Sequence, residues 1–116
     1  MKIVINKDHG GFGLSDEAFE EYLKRSGIDY EKREDFRLRS IVSVNFYRKG
    51  EEEGILLDSD IPRNDEVLVA LVEDLGSAVN SRYSDLKVVE IPEDVDWYIE
   101  EYDGMEWVAE KHRRWS

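Results

Sequence analysis

The chain has 116 residues, 41% of them hydrophobic and 38% charged, and its 28 acidic against 16 basic side chains leave a net charge of −12. One domain spanning 1–116 is expected, long enough to bury a core without staples. The lack of cysteine excludes a disulfide framework, a thiol nucleophile and a thiolate-held zinc. General binding to nucleic acid or to anionic membranes needs clustered lysine and arginine, so the acidic excess argues against both. It fits either a solvated surface that keeps the protein dispersed or a face matched to a basic partner protein.

Lys2-Ile3-Val4-Ile5-Asn6 is short and β-branched and reads as a buried strand. It is too short for the apolar core of a signal peptide, and no apolar run approaches the ~20 residues of a membrane span. A cytoplasmic location is therefore expected, the host cytoplasm if a phage encodes the chain. Asp8-His9-Gly10-Gly11-Phe12-Gly13 follows as a turn, and Ser15 is placed to cap a helix with Asp16 and Glu17 in its first turn. Ala18, Phe19, Tyr22 and Leu23 give that helix one apolar face, and Gly27 stops it.

The charged stretch 28–39 has no clear period. Ile41-Val42-Ser43-Val44-Asn45-Phe46-Tyr47 alternates as a strand, and Ile55-Leu56-Leu57 reads as a short returning one. Asn64 or Asp65 caps a second helix with Leu68, Leu71, Val72 and Leu75 at helical spacing and Gly76 past its end. Leu86-Lys87-Val88-Val89-Glu90-Ile91 is a further strand, stopped by Pro92. Two patterned runs, Trp97 to Tyr102 and Met105 to Glu110, flank Asp103-Gly104, the pair that a two-residue type I′ hairpin needs. The expected fold is α/β or α+β: a mixed sheet packed with two main helices, ending in a β-hairpin.

The glycine turn is the leading candidate site. Glycines between a strand and a helix let backbone amides approach a ligand, and a helix N-terminus favours an anion. A phosphate or carboxylate would sit over Gly10, Gly11 and Gly13, with Lys7, His9 and Arg63 adding positive contacts and Asp8 beside them. The pattern is neither GxGxxG nor Walker A, and Asp16 and Glu17 would compete with an anion. The plain alternative is a sharp turn packed under Phe12.

Asp8-His9 also has the composition of an oriented general base, without a convincing nucleophile nearby. His112 lies in a basic tail, Lys111-His112-Arg113-Arg114-Trp115, that balances an acidic hairpin. Tyr47, Trp97, Trp107 and Trp115 are able to stack a base or sugar, although cross-strand packing is the commoner use. No metal site and no cofactor are expected: the two histidines are far apart, and Asp58, Asp60 and Asp65 lack the order of a calcium loop.

These motifs together resemble a family of small proteins of bacteria and their phages. The resemblance rests on Lys2-Ile3-Val4-Ile5-Asn6 with Gly10-Gly11-Phe12-Gly13-Leu14-Ser15, the helix over 63–76, Leu86-Lys87-Val88-Val89-Glu90-Ile91-Pro92, Trp97-Tyr98-Ile99-Glu100-Glu101-Tyr102-Asp103-Gly104 and Glu106-Trp107-Val108-Ala109-Glu110-Lys111-His112-Arg113. Members are usually described only as hypothetical or phage proteins, and often carry Cys-Tyr where this chain has Asp8-His9. Lys7-Asp8-His9-Gly10-Gly11-Phe12 is also similar to the start of type B ribose-5-phosphate isomerases, which implies a sugar-phosphate site at Asp8 and His9; their glycine-rich catalytic segment is missing here.

The expectation is thus a binder of a phosphorylated small molecule, a nucleotide or sugar phosphate, that sequesters a host defence signal. The rival is an acidic module that masks a basic host surface through Asp94, Asp96, Glu100, Glu101 and Asp103. A third is a small enzyme acting through Asp8-His9. A homodimer through the hairpin is compatible with each.

Overall fold

In a computed structural model, the structure describes residues 1–37 and 40–111, with the backbone alone at 35–37 and 40–43. The fold is α+β. Among the described residues, strands β1 (Lys2–Asn6), β2 (Tyr30–Arg37), β3 (Ser40–Arg48), β4 (Ile55–Leu56), β5 (Leu86–Glu90), β6 (Trp97–Tyr102) and β7 (Met105–Glu110) accompany helices α1 (Asp16–Arg25) and α2 (Glu66–Leu75). The strands form three small antiparallel sheets, β1-β5, β2-β3-β4 and β6-β7, where one mixed sheet is expected from the sequence. The division follows from the connections. Parallel pairing needs a long crossover, and β2-β3 and β6-β7 are instead hairpins closed on themselves. No helix among the described residues is long and apolar enough to cross a membrane.

Both helices begin where their caps stand. Ser15 accepts a hydrogen bond from the Ala18 amide at 3.2 Å, and Asp65 accepts from Val67 and Leu68 at 2.9 and 3.0 Å. The Tyr22 hydroxyl reaches the second oxygen of Asp65, so the cap of α2 is also pinned to α1. The apolar faces of the two helices, Phe19, Tyr22 and Leu23 with Leu68, Leu71 and Val72, meet in a core shared with Val4, Phe46, Val79 and Leu86. Phe46 lies edge-on to Phe19 and to Tyr30, which ties the β2-β3-β4 sheet to this core.

Strand β2 is the element that charge conceals. Its sequence, YEKREDFR, has no apolar alternation, and it occupies the sheet edge beside β3. Charge there is what keeps an edge from pairing with another chain. The Tyr30 hydroxyl donates to Glu20, and the Arg33 guanidinium lies 4.0 Å from the centre of the Tyr47 ring, so its inner residues are used for packing.

The C-terminal hairpin turns at Asp103 and Gly104, with φ of 51° and 89°, the pair of positive values of a type I′ turn. This turn rests against the glycine turn: a methyl group at Gly104 would come within 2.2 Å of the His9 carbonyl oxygen and 2.6 Å of the Gly11 nitrogen. Gly27 also has a positive φ, 70°, but open space around it. Replacing Gly27 by alanine is expected to cost about 1–2 kcal/mol, from backbone strain alone. Gly104→Ala adds a backbone collision and is expected to cost more than about 3 kcal/mol. Urea denaturation of the two variants measures the difference, and equal losses would mean that the two turns do not touch.

Candidate functional site

Strand β1 is buried from Ile3 to Asn6 and, among the described residues, pairs only with β5. The amides of Val4 and Asn6 point away from β5, and buried amides need partners. Val4 donates to the carbonyl of Arg63 at 2.8 Å, and Asn6 donates to Glu106 Oε1 at 2.8 Å. The Arg63 guanidinium completes this edge. It bonds both oxygens of Glu106, with Nη2–Oε2 at 2.8 Å, makes a long 3.4 Å contact to the Val4 carbonyl, and lies 3.7 Å from the centre of the Phe12 ring. The pair is well covered, with the two side chains 19% and 7% exposed.

Asn6 is the second organiser of the region. Its fully buried carboxamide donates to the carbonyls of Asp8 and Gly104 at 2.7 and 2.8 Å and accepts from the amides of Asp8 and Asp85 at 3.2 and 2.9 Å. Two donors and two acceptor positions are all that a carboxamide has. One side chain therefore holds the glycine turn, the hairpin turn and the start of β5 together.

The residues expected at an anion site are placed as follows. Lys7, Asp8, His9 and Gly10 are exposed, and Gly11 and Gly13 half-buried. Among the described residues, the amides of Gly10, Gly11, Phe12 and Gly13 make no hydrogen bond. Several features restrict access to that loop. Gly10 lies against Tyr83, whose carbonyl oxygen would be 2.1 Å from an added methyl group, and the hairpin turn abuts His9 and Gly11. Arg63, the strongest cation near the loop, is already paired with Glu106.

A carboxylate of the chain itself also stands at the loop's exit. Asp58 Oδ2 accepts the Leu14 amide at 2.9 Å. The pKa of Asp16 is raised, first by burial and then by the charge of Glu17; Lys32 lowers it, and Asp58 adds a smaller rise. The carboxylates of Glu17 and Asp58 would likewise repel an external anion placed there.

Asp8 and His9 do not form a base–orienter pair. The Asp8 carboxylate accepts the His9 backbone amide at 2.7 Å, and the carboxylate beside the imidazole is Asp103, 3.9 Å away on the hairpin. Both members of that second pair are largely exposed. Among the described residues no cluster of three metal-ligating side chains occurs. His112 and Trp115 lie outside the described residues.

Of the aromatic candidates, Tyr47 lies beneath Arg33 and Trp97 is half-buried, whereas Trp107 is exposed. Its indole Nε1–H donates to Glu100 at 2.9 Å, and the Tyr98 hydroxyl donates to the other oxygen of Glu100 at 2.6 Å. The Tyr98 pKa is raised mainly by that bond, which favours the protonated phenol. A separate cleft of about 650 Å3 between α2 and the β1-β5 sheet is lined by Glu66, Glu73, Glu90 and Glu93 around Lys2 and the N-terminal residue.

Asn6, Asp58 and Glu106 are the structural residues that sequence reasoning missed. Asp58 reads as one more surface acid. Glu106 leaves one signal: it shares the strand parity of Val108, so a β7 that buries Val108 turns a carboxylate inward. Breaking the ion pair by Glu106→Gln is expected to cost about 3–5 kcal/mol. An isolated buried pair is often replaceable by two apolar residues without loss. Here the double variant Arg63→Met with Glu106→Leu leaves the Asn6 amide and the Val4 carbonyl unpaired, and is expected to remain at least about 2 kcal/mol less stable than the parent. Parent-like stability of the double variant in urea would show that the pair does not serve the strand edge.

No family model, curated protein or solved structure matches the chain.

Proposed function

We propose that the chain is an acidic interaction module whose C-terminal hairpin docks on a basic protein surface. The observation that carries this reading is the outward face of β6 and β7, where Tyr98, Tyr102 and Trp107 are 38%, 72% and 41% exposed around Glu100. Exposed aromatic residues at the centre of a polar rim are the usual anchors of protein interfaces. Asp103 lies at the hairpin turn, Asp94 and Asp96 in the segment before β6, Glu101 at an exposed position on the opposite face, and the whole chain carries −12. A field of that sign steers basic partners and repels acidic ones.

Long-range attraction of this kind weakens as salt shortens the screening length, from roughly 10 Å at 0.1 M to 3 Å at 1 M. The immobilised chain is expected to retain basic proteins of a bacterial lysate at about 0.1 M salt and to release them at about 1 M. The triple variant Asp94→Lys, Asp96→Lys and Glu101→Lys, all at exposed positions, is expected to lose that retention. Equal retention by parent and variant sinks the reading.

A second reading keeps one specific support: the unbonded amides of Gly10, Gly11, Phe12 and Gly13, over which a nucleotide or sugar phosphate would bind with Lys7 and His9 as its cations. Binding of such a ligand at a hundred times its Kd would stabilise the fold by about 2.7 kcal/mol. A thermal-shift panel of nucleotides and sugar phosphates is expected to include at least one compound that raises the melting temperature of the parent and not of Lys7→Gln. Flat curves across the panel remove this reading and leave the first untouched.

A further inference from the structure

We propose that the outward face of the C-terminal hairpin is a receptor for an arginine side chain carried by the basic partner, with Glu100 as the anion and Trp107 and Tyr98 as its aromatic walls; this rests on the interaction-module reading above. The register fixes which side chains share the face. Tyr98 stands opposite Ala109, Glu100 opposite Trp107 and Tyr102 opposite Met105, and paired residues of an antiparallel hairpin project to the same side. Glu100 is therefore flanked by tyrosines along its own strand and faced by an indole across it.

Its carboxylate is already held in place. Tyr98 and Trp107 each donate to one of its oxygens, at 2.6 and 2.9 Å. A carboxylate oxygen has two acceptor positions, so each keeps one for a further donor. The side-chain entropy that an exposed glutamate loses on forming an ion pair has largely been lost before any partner arrives. Three of the six exposed large hydrophobic residues among the described residues, Tyr98, Tyr102 and Trp107, lie on this one face. They offer π-surfaces beside a fixed negative charge.

The ligand chemistry follows from what that combination recognises. A guanidinium is planar, stacks on aromatic rings and donates in pairs to a carboxylate, whereas an ammonium is a compact, strongly hydrated point charge. The same combination occurs inside this fold with its arginine in place: Arg63 lies on the Phe12 ring and bonds both oxygens of Glu106. Arg33 stacks on Tyr47 in the same way. On the hairpin the aromatic and the carboxylate are present and face solvent.

The test uses two short Gly-Ser peptides of equal charge, one carrying arginines and the other lysines, titrated into the full chain at about 0.1 M salt. The arginine peptide is expected to bind about tenfold more tightly and to shift the Trp107 indole N–H resonance, assigned through Trp107→Phe. Glu100→Gln is expected to remove that preference, while Glu101→Gln, an exposed acid that does not share the face, weakens both peptides slightly and equally. Equal binding of the two peptides, or an unmoved Trp107 signal, overturns the receptor and leaves the acidic module standing. Absence of binding by either peptide overturns both. A change of the Trp107 signal of the free chain on Arg113→Ala with Arg114→Ala would assign the arginine to the chain itself and also overturn the proposal. The peak shift is read in the parent chain and does not use the Glu100 variant, so the proposal stays testable even if Glu100→Gln folds poorly.

Discussion

Strand β1 is buried from Ile3 to Asn6 and, among the described residues, has a strand on one side only, which leaves an inner edge whose amides and carbonyls must be satisfied by something other than a sheet. The chain meets this constraint with one ion pair. Arg63 supplies its own carbonyl and its guanidinium from just before α2, and Glu106 supplies its carboxylate from β7. Because the two residues come from distant parts of the sequence, closing the edge also fixes α2 and the hairpin relative to the central strand. Such pairs seldom stabilise a fold by their mutual attraction, since desolvation offsets most of it. Here the gain lies in the backbone groups that would otherwise be left dry and unpaired.

That constraint reaches the candidate loop directly. Arg63 reads from the sequence as a cation that could close an anion site, but its charge is already compensated by the buried Glu106 carboxylate, which it bonds through both Nη atoms. Asn6 acts in the same direction, because its saturated carboxamide brings the hairpin turn down onto residues 9–11. The glycines are used for close approach of one backbone to another. Gly10 against Tyr83 and Gly104 against His9 are contacts that no side chain would permit. The free amides of the loop are therefore what remains after packing, with Lys7 and His9 as the exposed cations of the turn itself.

Local rules made a good part of this fold legible. Ser15 and Asp65 cap their helices as their positions imply, Gly76 ends α2 with a positive φ of 56°, and Asp103-Gly104 turns the hairpin. Each of those features is decided within four or five residues. What was not legible depends on partners far away in the chain. β2 carries charges because it is an edge, a fact about its neighbours and not about its own period. Glu106 and Asn6 are polar residues at buried strand positions, and only the tertiary fold says that each faces a complementary group 43 to 100 positions distant. The candidate site was legible as a loop and misread in its charge, since Arg63 and Glu106 look independent until the hairpin is folded back.

The two roles of the hairpin are set by one turn. Side chains alternate along β6 and β7, so the type I′ turn at Asp103 and Gly104 decides that Glu106 faces Arg63 and that Trp107 and Glu100 face solvent. A slip of β7 by one residue would exchange these faces. It would bring an indole toward the guanidinium and carry the carboxylate that closes the edge of β1 into water. The loss of an edge bond and of an ion pair makes that alternative costly, which is why the register is strongly specified although the hairpin is only two strands wide. The interior ion pair thus holds the outer face in its arrangement: the aromatic residues around Glu100 remain exposed, together and in order because Glu106 cannot leave the core.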